Sequence, residues 1–454
     1  MRATFLALLA ALFTTTTFAG PTLGTMSAEV RGNDKRIDIE RTIDALVQLH
    51  VNTYYYLIWQ NARDFDDLPA FADAAAKHNI DVWPYIVPWS EVPPKKQGGW
   101  GYSEPFRTDY VTWAAEIAKL SLDHPNIPGY VIDDFYDNTD EGHFTPNYVR
   151  KMIGAGQRIN PKLKFYPLMY FQTPWAEFVN RFGKLVDGVV LCYPKSENGI
   201  RNAVTYLEDR RHGPSAIIML PRHHGAARGD GASVIMEEYI AQPEQASMSF
   251  YYDVTESAET DSSLQNARIL VDGRTAWESP TEGRRRDAVI RVDLRPVLRG
   301  RPGKVRIEFD VITVRTGVPE TLPVIVRFDD IRMYGTRERE LPFDPDLQLK
   351  EREAGKFNVT LLPGTRGSDR FNFPIVLMPT GEAEQYEKRY DTRGTPEAVA
   401  AKVRLCLAMM SNGIVDGVVP YRTPLIPGDP YYEAIRAEYD AFRATPPPAE
   451  SNAK

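Results

Sequence analysis

His124-Pro125-Asn126-Ile127-Pro128-Gly129-Tyr130-Val131-Ile132-Asp133-Asp134-Phe135-Tyr136-Asp137 is the stretch on which the fold turns. Tyr130, Val131 and Ile132 form an apolar strand core that runs directly into two adjacent carboxylates. Side chains alternate between the two faces of a strand, so Asp133 and Asp134 are expected to point apart. One then faces a cleft, and the other supports it through hydrogen bonds or lies in a different layer. The competing assignment is an Asp pair that caps the following turn. The rest of the chain decides between them.

Working outward, apolar strands alternate with amphipathic helices. Strands are expected over residues 25–30, 52–59, 81–88, 130–134, 164–171 and 188–193. The first helix carries Ile39, Ile43, Leu46 and Val47 on one face, and helices over 68–78, 110–122, 146–159, 174–185 and 199–211 follow the other strands. Strict alternation of this kind implies parallel strands with helical crossovers. Two more strands, 373–379 and 417–421, come late in the chain with helices over about 395–413 and 431–442. Thr395-Pro396-Glu397 opens the first of these with an N-cap and a proline in the first turn. An internal echo joins the two halves: Val186-Asp187-Gly188-Val189-Val190 recurs as Val415-Asp416-Gly417-Val418-Val419, and each copy leads to a tyrosine, Tyr193 or Tyr421. Eight strands and their helices make an α/β chain with a (β/α)8 (TIM) barrel, in which functional groups sit at the C-terminal ends of the strands.

Between the copies the character changes. Alternating strands are expected over 248–253, 267–271, 288–294, 304–311 and 324–328, separated by turn signals such as Val271-Asp272-Gly273. A short helix is expected near 233–239. Ile217-Ile218-Met219-Leu220 is assigned to this segment, because counting it in the barrel would give nine strands. The domain reading is therefore a signal peptide over 1–19, a barrel over 20–213 and 346–445, an inserted β-sandwich over 214–345, and a disordered tail over 446–454.

With 43% hydrophobic and 25% charged residues, the composition is that of a soluble globular protein. Arg2, the apolar run from Phe5 to Phe13 and small residues around Ala19 read as a secretory leader, too short to anchor the chain in a bilayer. A secreted or periplasmic location is expected, with no membrane anchor. The net charge of −7 and the lack of a basic stripe exclude nucleic acid as a partner. Cys192 and Cys406 lie in apolar segments and read as buried free thiols.

The segment from His124 to Asp134 resembles the fourth-strand region of (β/α)8-barrel glycoside hydrolases. There a His-Pro-x-Ile-x-Gly segment leads into an apolar strand that ends in Asp-Glu or a similar acidic pair. Asp134 stands here where those enzymes carry Glu, one methylene shorter. The resemblance implies an exported glycoside hydrolase acting on a polysaccharide or oligosaccharide, with Asp134 as acid/base and Asp133 as its support. The second carboxylate in such barrels lies at the end of the seventh strand. Glu382 is the candidate here, with Glu384 next. The inserted segment resembles carbohydrate-binding jelly rolls in Met248-Ser249-Phe250-Tyr251-Tyr252, in the Ile269–Gly273 turn with Trp277, and in Val326-Arg327-Phe328-Asp329-Asp330-Ile331. In such modules an Asp near the last strand binds a structural calcium; a hydrogen-bonded Asp is the favoured alternative. No other cofactor is expected.

Aromatic residues cluster at or just after the strand ends, where sugar rings can stack on them. Trp59, Trp89, Tyr136, Tyr170, Tyr193 and Tyr421 are the candidate substrate contacts, although some of the cluster must pack inside the barrel. Arg222-His223-His224-Gly225 is not expected to hold a metal, since adjacent histidines on a strand diverge. No Gly-rich phosphate loop and no Gly-x-Ser-x-Gly elbow occur. The alternative function is a non-catalytic carbohydrate-binding protein with a degenerate barrel site. The separation of the Asp134 and Glu382 carboxyls distinguishes the two, since about 5 Å suits a retaining enzyme and about 6.5–9.5 Å an inverting one.

Overall fold

The computed structural model describes residues 21–27, 29–93, 101–139, 143–171, 175–208, 213–221, 223–255, 264–281, 285–318, 323–336, 350–353, 355–362, 364, 374–381 and 394–444. The leader, Arg222, Glu382, Glu384 and the C-terminal tail therefore lie outside the described residues.

Six strand–helix units come first: β1 (Thr22–Ser27) with α1 (Ile39–Gln48), β2 (Thr53–Ile58) with α2 (Asp64–Ala76), and β3 (Asp81–Ile86) with α3 (Tyr110–Asp123). Then follow β4 (Gly129–Ile132) with α4 (Pro146–Gln157), β5 (Lys164–Tyr170) with α5 (Trp175–Phe182), and β6 (Val189–Cys192) with α6 (Glu197–Glu208). The chain next builds β7 (Ser215–Leu220), β8 (Gly231–Ile240), β9 (Ser247–Thr255), β10 (Gln265–Val271), β11 (Arg274–Pro280) and β12 (Arg285–Asp293). A short helix α7 (Arg295–Leu298) precedes β13 (Gly303–Thr313), β14 (Val324–Tyr334), β15 (Lys350–Glu353) and β16 (Asn358–Leu362). It then returns to β17 (Ile375–Met378), α8 (Pro396–Ser411), β18 (Gly417–Val418) and α9 (Pro430–Ala444).

The first six strands close with β17 and β18 into a barrel of order β1-β18-β17-β6-β5-β4-β3-β2. All its pairings are parallel, and Ile375 to Met378 lie beside Val189 to Cys192. The remaining strands form two antiparallel five-stranded sheets, β11-β10-β13-β8-β15 and β12-β9-β14-β7-β16. The chain is thus a (β/α)8 barrel interrupted by an all-β insertion. No helix among the described residues is long and apolar enough to cross a membrane.

The repeated pentapeptide has a structural reason. Asp187 donates its backbone N–H to Phe165 O (3.1 Å) and accepts Phe165 N–H at Oδ2 (2.9 Å). Asp416 does the same to Ile375, at 2.9 and 2.8 Å. Each Asp brackets the first residues of the neighbouring strand and fixes the register of the barrel floor. The glycine that follows faces a crowded neighbour: a Cβ at Gly188 would lie 2.4 Å from the Tyr166 ring, and one at Gly417 2.5 Å from Thr22 Cβ.

Three expectations are corrected. The first strand starts at Thr22, because Thr22 and Leu23 must pair with Gly417 and Val418 to close the barrel. Residues 233–239 belong to a strand: their burial alternates, and β8 pairs with β13 from Gly231 to Ile240. Met236-Glu237-Glu238 favours helix locally, but pairing along ten residues overrides that preference. The sandwich also extends past residue 345, since β15 and β16 complete its two sheets. Both are edge strands. β15 is charged (Lys350-Glu351-Arg352-Glu353) and β16 half-exposed, so neither shows an alternating apolar pattern. Cys192 and Cys406 are buried and unbridged.

In the middle of β14, where its register against β9 shifts, Asp329 accepts a hydrogen bond from Ser215 Oγ. Asp330 accepts from the Gly213 N–H (2.6 Å) and from Arg332 Nε (2.9 Å). Both carboxylates are thus partnered by groups of the chain itself.

Candidate active site

The barrel interior is packed with large side chains from its own strands. Tyr55, Trp83, Tyr85, Tyr166, Leu168 and Val190 are all buried there, with the Trp83 and Tyr166 rings 4.6 Å apart. Room for them comes from small residues in the same layer: a Cβ at Gly129 would lie 2.5 Å from the Trp83 ring. The barrel interior is thus filled by its own side chains.

Strand β4 ends at Ile132, earlier than the sequence suggests. Asp133 still donates its N–H to Ile86 O (3.1 Å), but Asp134 adopts a left-handed backbone with φ of 42°. This turn changes the expected geometry. Asp133 continues the inward series after Val131 and approaches the Tyr85 phenol, whose pKa is raised by burial and then by this carboxylate. Asp134 is turned so that its Oδ1 accepts a hydrogen bond from Tyr170 OH, at the inner end of β5. Both carboxylates also raise the pKa of the buried Cys192 thiol, after burial itself. The two acids therefore face the same mouth instead of opposite faces, because strand alternation holds through Asp133 and breaks at Asp134. Asp133 Oδ1 accepts the Asp134 N–H at 2.8 Å and stabilises the turn.

Aromatic residues ring these carboxylates. Tyr193 stacks on Tyr170 with centroids 5.9 Å apart and rings 20° from parallel. Tyr421 meets Tyr193 edge-on at 5.9 Å. Tyr193, like Asp134, is left-handed (φ 58°), and so is Arg422 (φ 57°) next to Tyr421. Left-handed backbone at a bulky residue costs on the order of 1–3 kcal/mol and persists only where the surroundings impose it. Here it occurs at three strand ends of one mouth. Trp59 follows β2 and packs against the interior cluster from the rim. Trp89 opens a short turn after β3 and stacks on His143 at 3.8 Å. Tyr136 is placed differently: it is buried in the layer between strands and helices, against Phe178 of α5. Of the six candidate sugar contacts, five are thus brought to the mouth or its rim, and Tyr136 is not. Glu382 follows β17 outside the described residues.

Two supporting arrangements were not legible in sequence. Ser103 Oγ accepts the Val87 N–H (2.9 Å) and donates to Ile58 O (2.6 Å), joining the ends of β2 and β3. Glu29, Arg31 and Asp64 form a buried ionic cluster behind the rim. Arg31 binds Asp64 through two nitrogens (2.8 and 3.1 Å) and Glu29 through one (3.1 Å). Asp64 Oδ2 in turn accepts the backbone N–H groups of Trp59, Gln60 and Asn61, each at 3.1 Å. This cluster holds the loop bearing Trp59. Burial, and the neighbouring Asp64 charge, push Glu29 up to about 8. An Asp six residues beyond a strand end, three to five after the N–H groups it binds, is a sequence signal for such a turn, but its other partners come from a different unit.

No family model matches the chain, and no curated protein matches it. Solved structures to which it is similar are glycoside hydrolases. They include an intracellular xylanase of Thermoanaerobacterium saccharolyticum, at 13% identity over 42% of this chain and 73% of that one, with a TM-score of 0.28. The GH53 catalytic domain of Ignisphaera aggregans is 14% identical over 41% of this chain and 64% of its own, with a TM-score of 0.30. An endo-1,4-beta-mannanase of Eisenia fetida is 12% identical over 39% of this chain and 70% of that one, with a TM-score of 0.27.

Proposed function

We propose that the protein is an exported glycoside hydrolase that cleaves glycosidic bonds in a polysaccharide or oligosaccharide, with Asp134 as the acid/base. The observation that carries the reading is the meeting of Asp133 and Asp134 in the barrel mouth under Tyr170, Tyr193 and Tyr421. A protonated Asp134 gives its proton to the glycosidic oxygen as the C1–O bond breaks, and the leaving sugar departs as an alcohol. The Tyr170 hydroxyl holds the other side of the same carboxyl. A second carboxylate must act as nucleophile or activate water, and Glu382 is proposed for it. Asp133 holds the Asp134 turn. The aromatic rim supplies stacking faces for sugar rings, and the insertion is proposed to dock glycan as a jelly-roll module would.

The second reading is a carbohydrate-binding protein without catalysis, favoured by the shorter Asp134 where similar barrels carry Glu. A reducing-sugar screen of the purified protein over a panel of polysaccharides tests both. Turnover by the wild type that Asp134→Asn reduces by about 10²-fold or more supports the enzyme. Binding with no release of reducing ends supports the second reading.

A further inference from the structure

We propose that Asn138 is a positioning residue that latches the loop carrying Trp89 to the turn carrying Asp134. The inference rests on the reading of Asp134 as the proton donor. Asn138 closes the short turn Tyr136–Asn138 and is 1% exposed. Its Oδ1 accepts the Ser90 N–H at 2.9 Å, and its Nδ2 donates to Ser90 Oγ at 3.0 Å and to the Asp134 carbonyl at 2.8 Å. Both amide protons and a carbonyl lone pair are thus spent on two loops that rise from neighbouring strands, β3 and β4.

The chemistry of the amide fits this place. Asp134 is left-handed (φ 42°), a conformation that an L-residue keeps only when its surroundings hold it. Asp133 holds its N–H and Asn138 holds its carbonyl, so the peptide units on both sides of the proposed acid are fixed. The other half of the Asn138 amide fixes the residue after Trp89. The Trp89–His143 stack at 3.8 Å joins the same two loops a second time. The acid and one aromatic wall of the mouth therefore move as a single body. An aspartate at 138 would keep the acceptor for Ser90 but lose both donations. An alanine would lose all three contacts.

Hydrogen–deuterium exchange of the full chain tests the latch without needing a substrate. In Asn138→Ala the Ser90 amide loses its acceptor, and its exchange is expected to rise about tenfold or more together with residues 133–139, while β2 and β5 stay protected. In Asn138→Asp the Ser90 amide keeps its protection and only the 133–139 segment loosens. On the best substrate from the polysaccharide screen, both variants are expected to lose about tenfold or more in kcat, measured well below their melting points. Unchanged exchange at Ser90 in Asn138→Ala overturns the proposal, as does a uniform rise across all strands. So does wild-type kcat in both variants. If Asn138→Ala does not fold, Asn138→Asp carries both measurements. If the wild type turns over no polysaccharide, the glycosidase reading fails while the exchange result still decides the latch.

Discussion

The buried Glu29 gives a quantitative prediction about the rim. Its pKa rises from 4.5 to about 8 in the folded protein, chiefly through burial and secondarily through Asp64. A carboxyl with a raised folded-state pKa favours folding while it is protonated. Its contribution is complete below pH 4.5 and is lost as pH rises through about 8, because the unfolded chain gains from ionising first. At about 1.4 kcal/mol per unit, the loss between pH 5.5 and 8.5 comes to about 3 kcal/mol. Glu29→Gln supplies a neutral side chain of the same shape and removes this dependence. Among the described residues, Trp59, Trp83, Trp89, Trp113 and Trp175 belong to the strand–helix units of the barrel and Trp277 to the insertion, so denaturant unfolding followed by tryptophan emission reports mainly on the barrel. The stability of Glu29→Gln relative to wild type should increase by about 3 kcal/mol from pH 5.5 to pH 8.5. A difference that does not change with pH would refute the argument.

Asp134→Asn should cost about 10²–10⁴-fold in turnover while unfolding within about 1–2 kcal/mol of wild type, checked by kinetics and thermal melts in parallel. Tyr170→Phe removes the hydroxyl that donates to Asp134; the alkaline limb of the pH–rate profile should move up, because the ionised carboxylate loses a donor and the proposed acid stays protonated to higher pH. Gly188→Ala places a methyl 2.4 Å from the Tyr166 ring and should destabilise the barrel by about 1–3 kcal/mol in urea. Asp416→Ala leaves the Ile375 N–H without its carboxylate acceptor at the start of β17, at a cost of about 1–3 kcal/mol by the same assay.

The sequence alone determined the architecture. Helical and strand periodicities are local properties, and their alternation gave eight barrel strands and located the insertion after α6. The Val-Asp-Gly-Val-Val echo was legible for the same reason: Asp187 and Asp416 solve the same problem at the barrel floor with the same residues. What the tertiary structure decided depends on contacts between distant segments. Residues 233–239 became a strand because β13 was there to pair with them. Tyr136 went to the helix layer because Phe178 of α5 received it. Glu29, Arg31 and Asp64 were brought together from two different strand–helix units. The two central carboxylates show the division most clearly. Strand periodicity placed Asp133 and Asp134 on opposite faces, and that holds only while the strand continues. The left-handed turn at Asp134, pinned by Asp133 on one side and Asn138 on the other, ended the strand early and aimed both acids into one mouth. A two-residue alternation can be read from a sequence, but where it stops is set by whatever the fold places around the last residue.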